Sequence, residues 1–128
     1  MGQNSTTLHE PAETLSPESI DCHRAIVSLM EELEAADWYD QRVQACSNDE
    51  LRGILAHNRD EEKEHAAMVL EWLRRHDPVL DKHLKTFLFT EGPIVGREKA
   101  GESNAAEASS GSLGIGSLRS GASKEVGK

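Results

Sequence analysis

The sequence predicts an all-α fold: an antiparallel hairpin of two long helices followed by a short third helix. Two stripes of largely apolar residues recur at alternating spacings of three and four, the period of one helix face. The first runs Cys22, Ala25, Leu29, Glu32, Ala36, Tyr39 and Val43, the second Leu51, Leu55, Asn58, Glu62, His65, Val69 and Trp72. Only the short Ser47-Asn48-Asp49 break separates them, so the second helix folds back on the first.

Each element has a local cause. Residues 1–15 are polar, carry Pro11 and read as a flexible arm before a helical domain at 16–95. Ser16-Pro17-Glu18 opens the first helix with a cap residue, a proline at the first helical position and an early acid. That helix continues to about Ala45. The second spans about Asp49 to Arg75, with Arg74, Arg75 and His76 at its negative end. Gly53 weakens it little, being near the first turns. Asp77-Pro78 stops it. A third helix from Pro78 to Phe89 places Leu80, Leu84, Phe87 and Leu88 on one side, and Gly92-Pro93 closes the domain. Residues 96–128 are rich in Gly, Ser, Ala and charge and read as a disordered tail.

Composition narrows the function. A chain of 128 residues with two Trp, one Tyr and two Phe builds a thin core, so association is expected. The net charge of −9, from 23 acidic against 14 basic residues, argues against nucleic acid and suits a surface that attracts cations. No apolar run is long enough for a membrane and no signal segment opens the chain, so an intracellular protein is expected. Cys22 and Cys46 lie at opposite ends of one helix, about 36 Å apart. They cannot pair within the chain and read as reduced, half-buried thiols.

The chemistry lies where polar residues interrupt the stripes. Glu62-Lys63-Glu64-His65 is an E-x-x-H, whose Glu62 and His65 lean over one face. Glu32 occupies the preceding stripe. For a turn near residue 47, Glu32 lies 15 residues before it and Glu62 lies 15 after it, which puts them at one level. Di-iron carboxylate bundles use a Glu from each of two helices and a Glu-x-x-His from each of two others. This chain carries half that set, and a two-fold axis supplies the rest. The competing reading is an ion-paired polar patch, for example Glu62 with Arg59 one turn earlier. Tyr39 lies beyond Glu32, either reaching the metal or packing with its hydroxyl at the edge. Asn58 reads as a buried polar group that fixes register.

Two further clusters compete with a reading as ordinary solvated acidity. Glu31 and Glu34, with Trp38, form a candidate outer cation site on the route inward. His57, Glu61 and Glu64, at i, i+4 and i+7, form a candidate site for a hard cation such as calcium at a subunit contact. His9, His23, His76 and His83 have no companion ligands. In the tail, Leu113, Gly114, Ile115, Gly116, Ser117 and Leu118 combine three aliphatic anchors with close-approach glycines, as a tethered docking peptide does.

Several segments together resemble the encapsulated ferritin family: Arg24 to Glu34, Asp37-Trp38-Tyr39-Asp40-Gln41-Arg42, Ile54 to Met68, and Glu71-Trp72-Leu73-Arg74-Arg75. The tail segment Gly111 to Leu118 resembles that family's encapsulin-targeting peptide, near 111–119. The resemblance covers about residues 10 to 119. It implies a ferritin-like four-helix bundle made by two hairpins, and a ring of five such dimers, a decamer. It implies a ferroxidase cargo in the lumen of an encapsulin nanocompartment in the bacterial cytoplasm, serving iron storage and detoxification. By the same resemblance Glu32, Glu62 and His65 are the di-iron ligands with Tyr39 beside them, and Glu31, Glu34 and Trp38 are the entry site. The implied reaction is oxidation of Fe(II) to Fe(III) by dioxygen. Rival readings are a metal buffer with the same ligands, a structural hairpin that recruits partners through its tail, and a peroxidase or manganese catalase on a related bundle.

Overall fold

The computed structural model describes residues 6–99. The flexible-arm assignment falls partly, and the tail and its docking peptide almost wholly, outside the described residues. The described residues are helical, with no strand among them: α1 is Pro17–Ala45, α2 is Asp49–His76 and α3 is Pro78–Phe87. A single 3-10 turn, Ala12–Thr14, lies in the segment assigned to the arm, where the Thr14 hydroxyl donates to the Pro11 carbonyl at 2.7 Å.

Local chemistry explains the boundaries. Ser16 caps α1, its hydroxyl accepting from the Ser19 N–H at 3.1 Å, with Pro17 following. Asn48 caps α2 by accepting from the Leu51 N–H at 2.9 Å. Arg52 reaches back and donates twice to the Cys46 carbonyl, bracing the short link and satisfying an acceptor at the end of α1. Asp77 both ends α2 and caps α3, accepting from the N–H groups of Val79 and Leu80 at 3.1 and 3.0 Å. Arg74 forks onto Glu71 at 2.7 and 2.8 Å and also donates to Asp81, tying the end of α2 to the first turn of α3. The third helix ends two residues earlier than expected, at Phe87 rather than Phe89. Phe89 takes φ 57°, which leaves the helical path.

The chain divides into two compact units after Asp81, and the hairpin lies wholly in the first. There α1 and α2 pack against each other. The buried apolar residues among those described are Ala36, Ala66 and Leu73. Alanines let the two helices approach closely but bury little surface. Apolar side chains instead remain open on the hairpin: Leu33 is 55% exposed, Ile54 53% and Met68 65%. Every member of the first predicted stripe is buried or half-buried; in the second, Leu51 and His65 are exposed. No helix among the described residues is long and apolar enough to cross a membrane.

Candidate metal centre

Halfway along the hairpin, Glu32 of α1 meets Glu62 and His65 of α2. Glu62 and His65 are one turn apart, so both point to one flank of α2. The His65 Nδ1 lies 3.4 Å from a Glu62 carboxylate oxygen and 3.5 Å from one of Glu32. One donor atom from each of the three falls within 4.8 Å of the others, and they form the one such His and carboxylate group among the described residues. Two donors bound to one cation at about 2.1 Å are about 3.0–4.2 Å apart, so these side chains fit around a metal with little movement. Carboxylates and an imidazole suit iron as hard and borderline ligands.

The electrostatics reflect that crowding. A hydrogen bond to Glu62, then burial and the Glu62 charge, hold the Glu32 carboxyl above its usual range. The hydrogen bond from Glu32 holds Glu62 below it. The neighbouring acids are thus driven apart in acidity, Glu32 upward and Glu62 downward. Burial alone would lower the His65 pKa, but the Glu62 hydrogen bond and the charges of both carboxylates raise it. A cation entering here displaces protons and takes over their role.

The centre is half open. The side chains of Glu32 and Glu62 are 27% and 22% exposed, but that of His65 is 47% exposed. His65 sits in a second stripe of α2, Ile54, Asn58, Glu61, His65, Met68 and Trp72, at spacings of four and three. An open groove of about 510 Å³ on this flank is lined by Ala25 and Ser28 of α1 and by Met68 and Trp72 of α2.

The remaining predicted site residues are placed as follows. Tyr39 is half-buried, with the Arg42 guanidinium 5.0 Å from its ring centroid. Glu31, Glu34 and Trp38 are exposed on α1. Glu61 faces His57 at 3.6 Å and the second ring nitrogen of His65 at 4.0 Å. Glu64 does not join them in a metal-sized group, so calcium at this cluster finds no support. The ion-pair alternative for Glu62 is not realised, because Arg59 donates to Asp40 at 2.9 Å and to Asp60 at 3.0 Å. Asn58, read as a buried polar group, is half-buried, and its neighbour Arg59 makes a polar contact across the hairpin to Asp40. An arginine beside a stripe, with an acid on the facing helix, was the available signal.

Residues 7–91 match the family described as EncFtn-like. The chain is 59% identical over 129 residues to an encapsulated ferritin-like protein of Rhodospirillum rubrum, covering 93% of this chain and 92% of that one. It is 35% identical over 104 residues to the encapsulin nanocompartment cargo protein EncC of Myxococcus xanthus, covering 73% of this chain and 80% of that one. Among solved structures, a protein of Nitrosomonas europaea matches with a TM-score of 0.67 and 65% sequence identity, over 69% of this chain and 97% of that chain.

Proposed function

The chain belongs to the EncFtn-like family, and on that premise we propose that it is a ferroxidase, oxidising Fe(II) to Fe(III) at a di-iron centre shared by two copies. The observation that carries this reading is the trio Glu32, Glu62 and His65, poised around a cation-sized space on a half-open face. One chain supplies one Glu and one Glu-x-x-His. A two-fold axis beside His65 completes the set of two and two that a di-iron bundle uses.

Iron is the substrate here. Each of two Fe(II) ions gives up one electron, and one dioxygen takes both and leaves with two protons as hydrogen peroxide. Glu32 and Glu62 supply the negative charge that favours the ferric state. His65 completes the donor set through Nδ1. Tyr39, one to two turns beyond Glu32, lies beside the centre as a hydrogen-bonding residue. Glu31, Glu34 and Trp38, exposed on α1, serve as the outer cation site. Calcium at His57, Glu61 and Glu64 is not carried into this reading.

The thin interior and the open apolar side chains support association; a dimer, and a ring of five dimers, are what the family resemblance adds to this reading. The names of the Rhodospirillum and Myxococcus relatives support a role as encapsulin cargo. The docking element is the peptide Leu113, Gly114, Ile115, Gly116, Ser117 and Leu118, and the place of action is the shell lumen in the bacterial cytoplasm. Glu32→Ala, Glu62→Ala or His65→Ala each removes a ligand twice by symmetry and is expected to abolish most iron oxidation. The Glu62→Ala protein also loses a like-charge contact, so its metal-free stability should hold or rise. Near-normal oxidation by Glu62→Ala contradicts the assigned site.

A further inference from the structure

The metal centre needs a fixed axial register between α1 and α2, because Glu32 comes from one helix and Glu62 and His65 from the other. A slip of one residue moves Glu32 about 1.5 Å along the axis. Metal–ligand distances tolerate only about 0.2 Å. The most deeply buried positions of the hairpin do little to resist such a slip. Its buried residues are Ala36, Ala66 and Leu73, and alanines present a shallow surface with few interlocking ridges. The short link at Cys46–Asn48 anchors one end, but Glu32 lies fourteen residues from Cys46, about 21 Å along the helix.

The directional contact lies between the link and the centre. Arg59 of α2 donates to Asp40 of α1 at 2.9 Å, and its Nε is held by Asp60 of its own helix at 3.0 Å. The Arg59 side chain is 21% exposed, so much of its length is packed in the hairpin. Glu32, Ala36 and Asp40 follow at i, i+4 and i+8, with Ala36 buried against α2. Eight residues turn a helix by about 80°, so Glu32 and Asp40 emerge on opposite flanks of that buried position. The hairpin is therefore held on one flank by the ligand trio and on the other by the Arg59–Asp40 pair. Before metal binds, His65 meets the two carboxylates only at 3.4–3.5 Å, a looser set of contacts than the 2.9 Å bond from Arg59 to Asp40.

We propose that Arg59 and Asp40 are positioning residues of the metal centre, whose ion pair sets the register that brings Glu32 to Glu62 and His65. The proposal rests on the reading of that trio as a metal site. Its test uses the full chain and Co(II) as a spectroscopic probe, with the visible absorption of the bound ion and its affinity as readouts. Glu62→Ala is the control for the site itself. If wild-type protein and Glu62→Ala bind Co(II) alike, the metal-centre reading fails, whatever Arg59 does.

Given that control, Asp40→Asn and Arg59→Gln should each weaken Co(II) binding by about 10- to 100-fold, the range for supporting residues around a metal site. Each should also change the absorption bands while helix content stays at the wild-type level. The double variant should be no worse than either single one, since one contact is lost in all three. The exchange Asp40→Arg with Arg59→Asp should recover most of the affinity. If the exchanged protein does not fold, Arg59→Lys, which keeps the charge opposite Asp40, replaces it in the test. Wild-type affinity and spectrum in the single variants overturn the proposal, even if melting temperature falls. Single-variant losses that neither the exchange nor Arg59→Lys repairs also overturn it.

Discussion

If a second copy completes the centre, the apolar side chains that flank His65 must be part of the contact. Ile54 and Met68 share the α2 stripe with His65 and are 53% and 65% exposed in the single chain. Full burial of such a side chain is worth about 1.5–3 kcal/mol, so covering the exposed half to two-thirds contributes about 1–2 kcal/mol each. The two-fold axis repeats both side chains, which brings the contribution to roughly 4–8 kcal/mol. At about 1.4 kcal/mol per factor of ten, Ile54→Ser with Met68→Ser should weaken the dimer by roughly three to six powers of ten. The residues buried between α1 and α2 are Ala36, Ala66 and Leu73, so the hairpin should keep its helix content. Sedimentation velocity across a concentration series, with circular dichroism and Fe(II) stoichiometry on the same samples, measures all three quantities. A folded double variant that associates and binds Fe(II) as the wild type does refutes the placement of the two-fold axis.

Other outcomes follow from the same structure. Glu31→Ala with Glu34→Ala should slow iron uptake at low iron and low salt while leaving the stoichiometry of the centre unchanged; stopped-flow rates identical to wild type return these acids to a solvated surface. Removing residues 109–128, or changing Leu113, Ile115 and Leu118 together to Ser, should leave iron oxidation intact and abolish packaging into a co-expressed encapsulin shell. Unaltered packaging of the triple variant removes the docking peptide from the account. Hydrogen bonds from Arg74, then Arg75, hold the Glu71 carboxyl down to about 2, below its ordinary 4.5. A depressed carboxyl contributes stability that is present above 4.5 and lost as pH falls through about 2. Glu71→Gln should therefore flatten the acid dependence of stability over that window; an unchanged slope in denaturant melts contradicts the assignment.

The legible parts of the fold were those with local causes. Ser16 and the Ser47-Asn48-Asp49 break read as caps, and Ser16 and Asn48 accept from backbone N–H groups in the first turns; Asp77-Pro78 read only as a stop, and Asp77 also caps α3. The end of α3 was less legible because apolar residues continue past it. Phe89 extends the apolar run but takes a left-handed conformation. In the metal centre, counting from the link placed Glu32 level with Glu62, because a short antiparallel connection leaves little freedom of register. The role of Arg59 was hidden. A long side chain three residues before Glu62 suggests a local pair, and sequence spacing alone does not show that it crosses to Asp40. The openness of the His65 flank depends on which stripe each helix turns inward. In the structure Ala36 and Ala66 are buried while Ile54 and Met68 stay open, an order that hydrophobicity alone does not give.

The most direct test of the account is an anaerobic titration of the full-length protein with Fe(II), monitored for bound iron per chain and particle size, followed by exposure to dioxygen. The account predicts saturation at one iron per chain in a species no smaller than a dimer, then conversion to Fe(III) with one dioxygen consumed per two irons. Two irons bound to a monomer, or bound Fe(II) that survives dioxygen without consuming it, would contradict it.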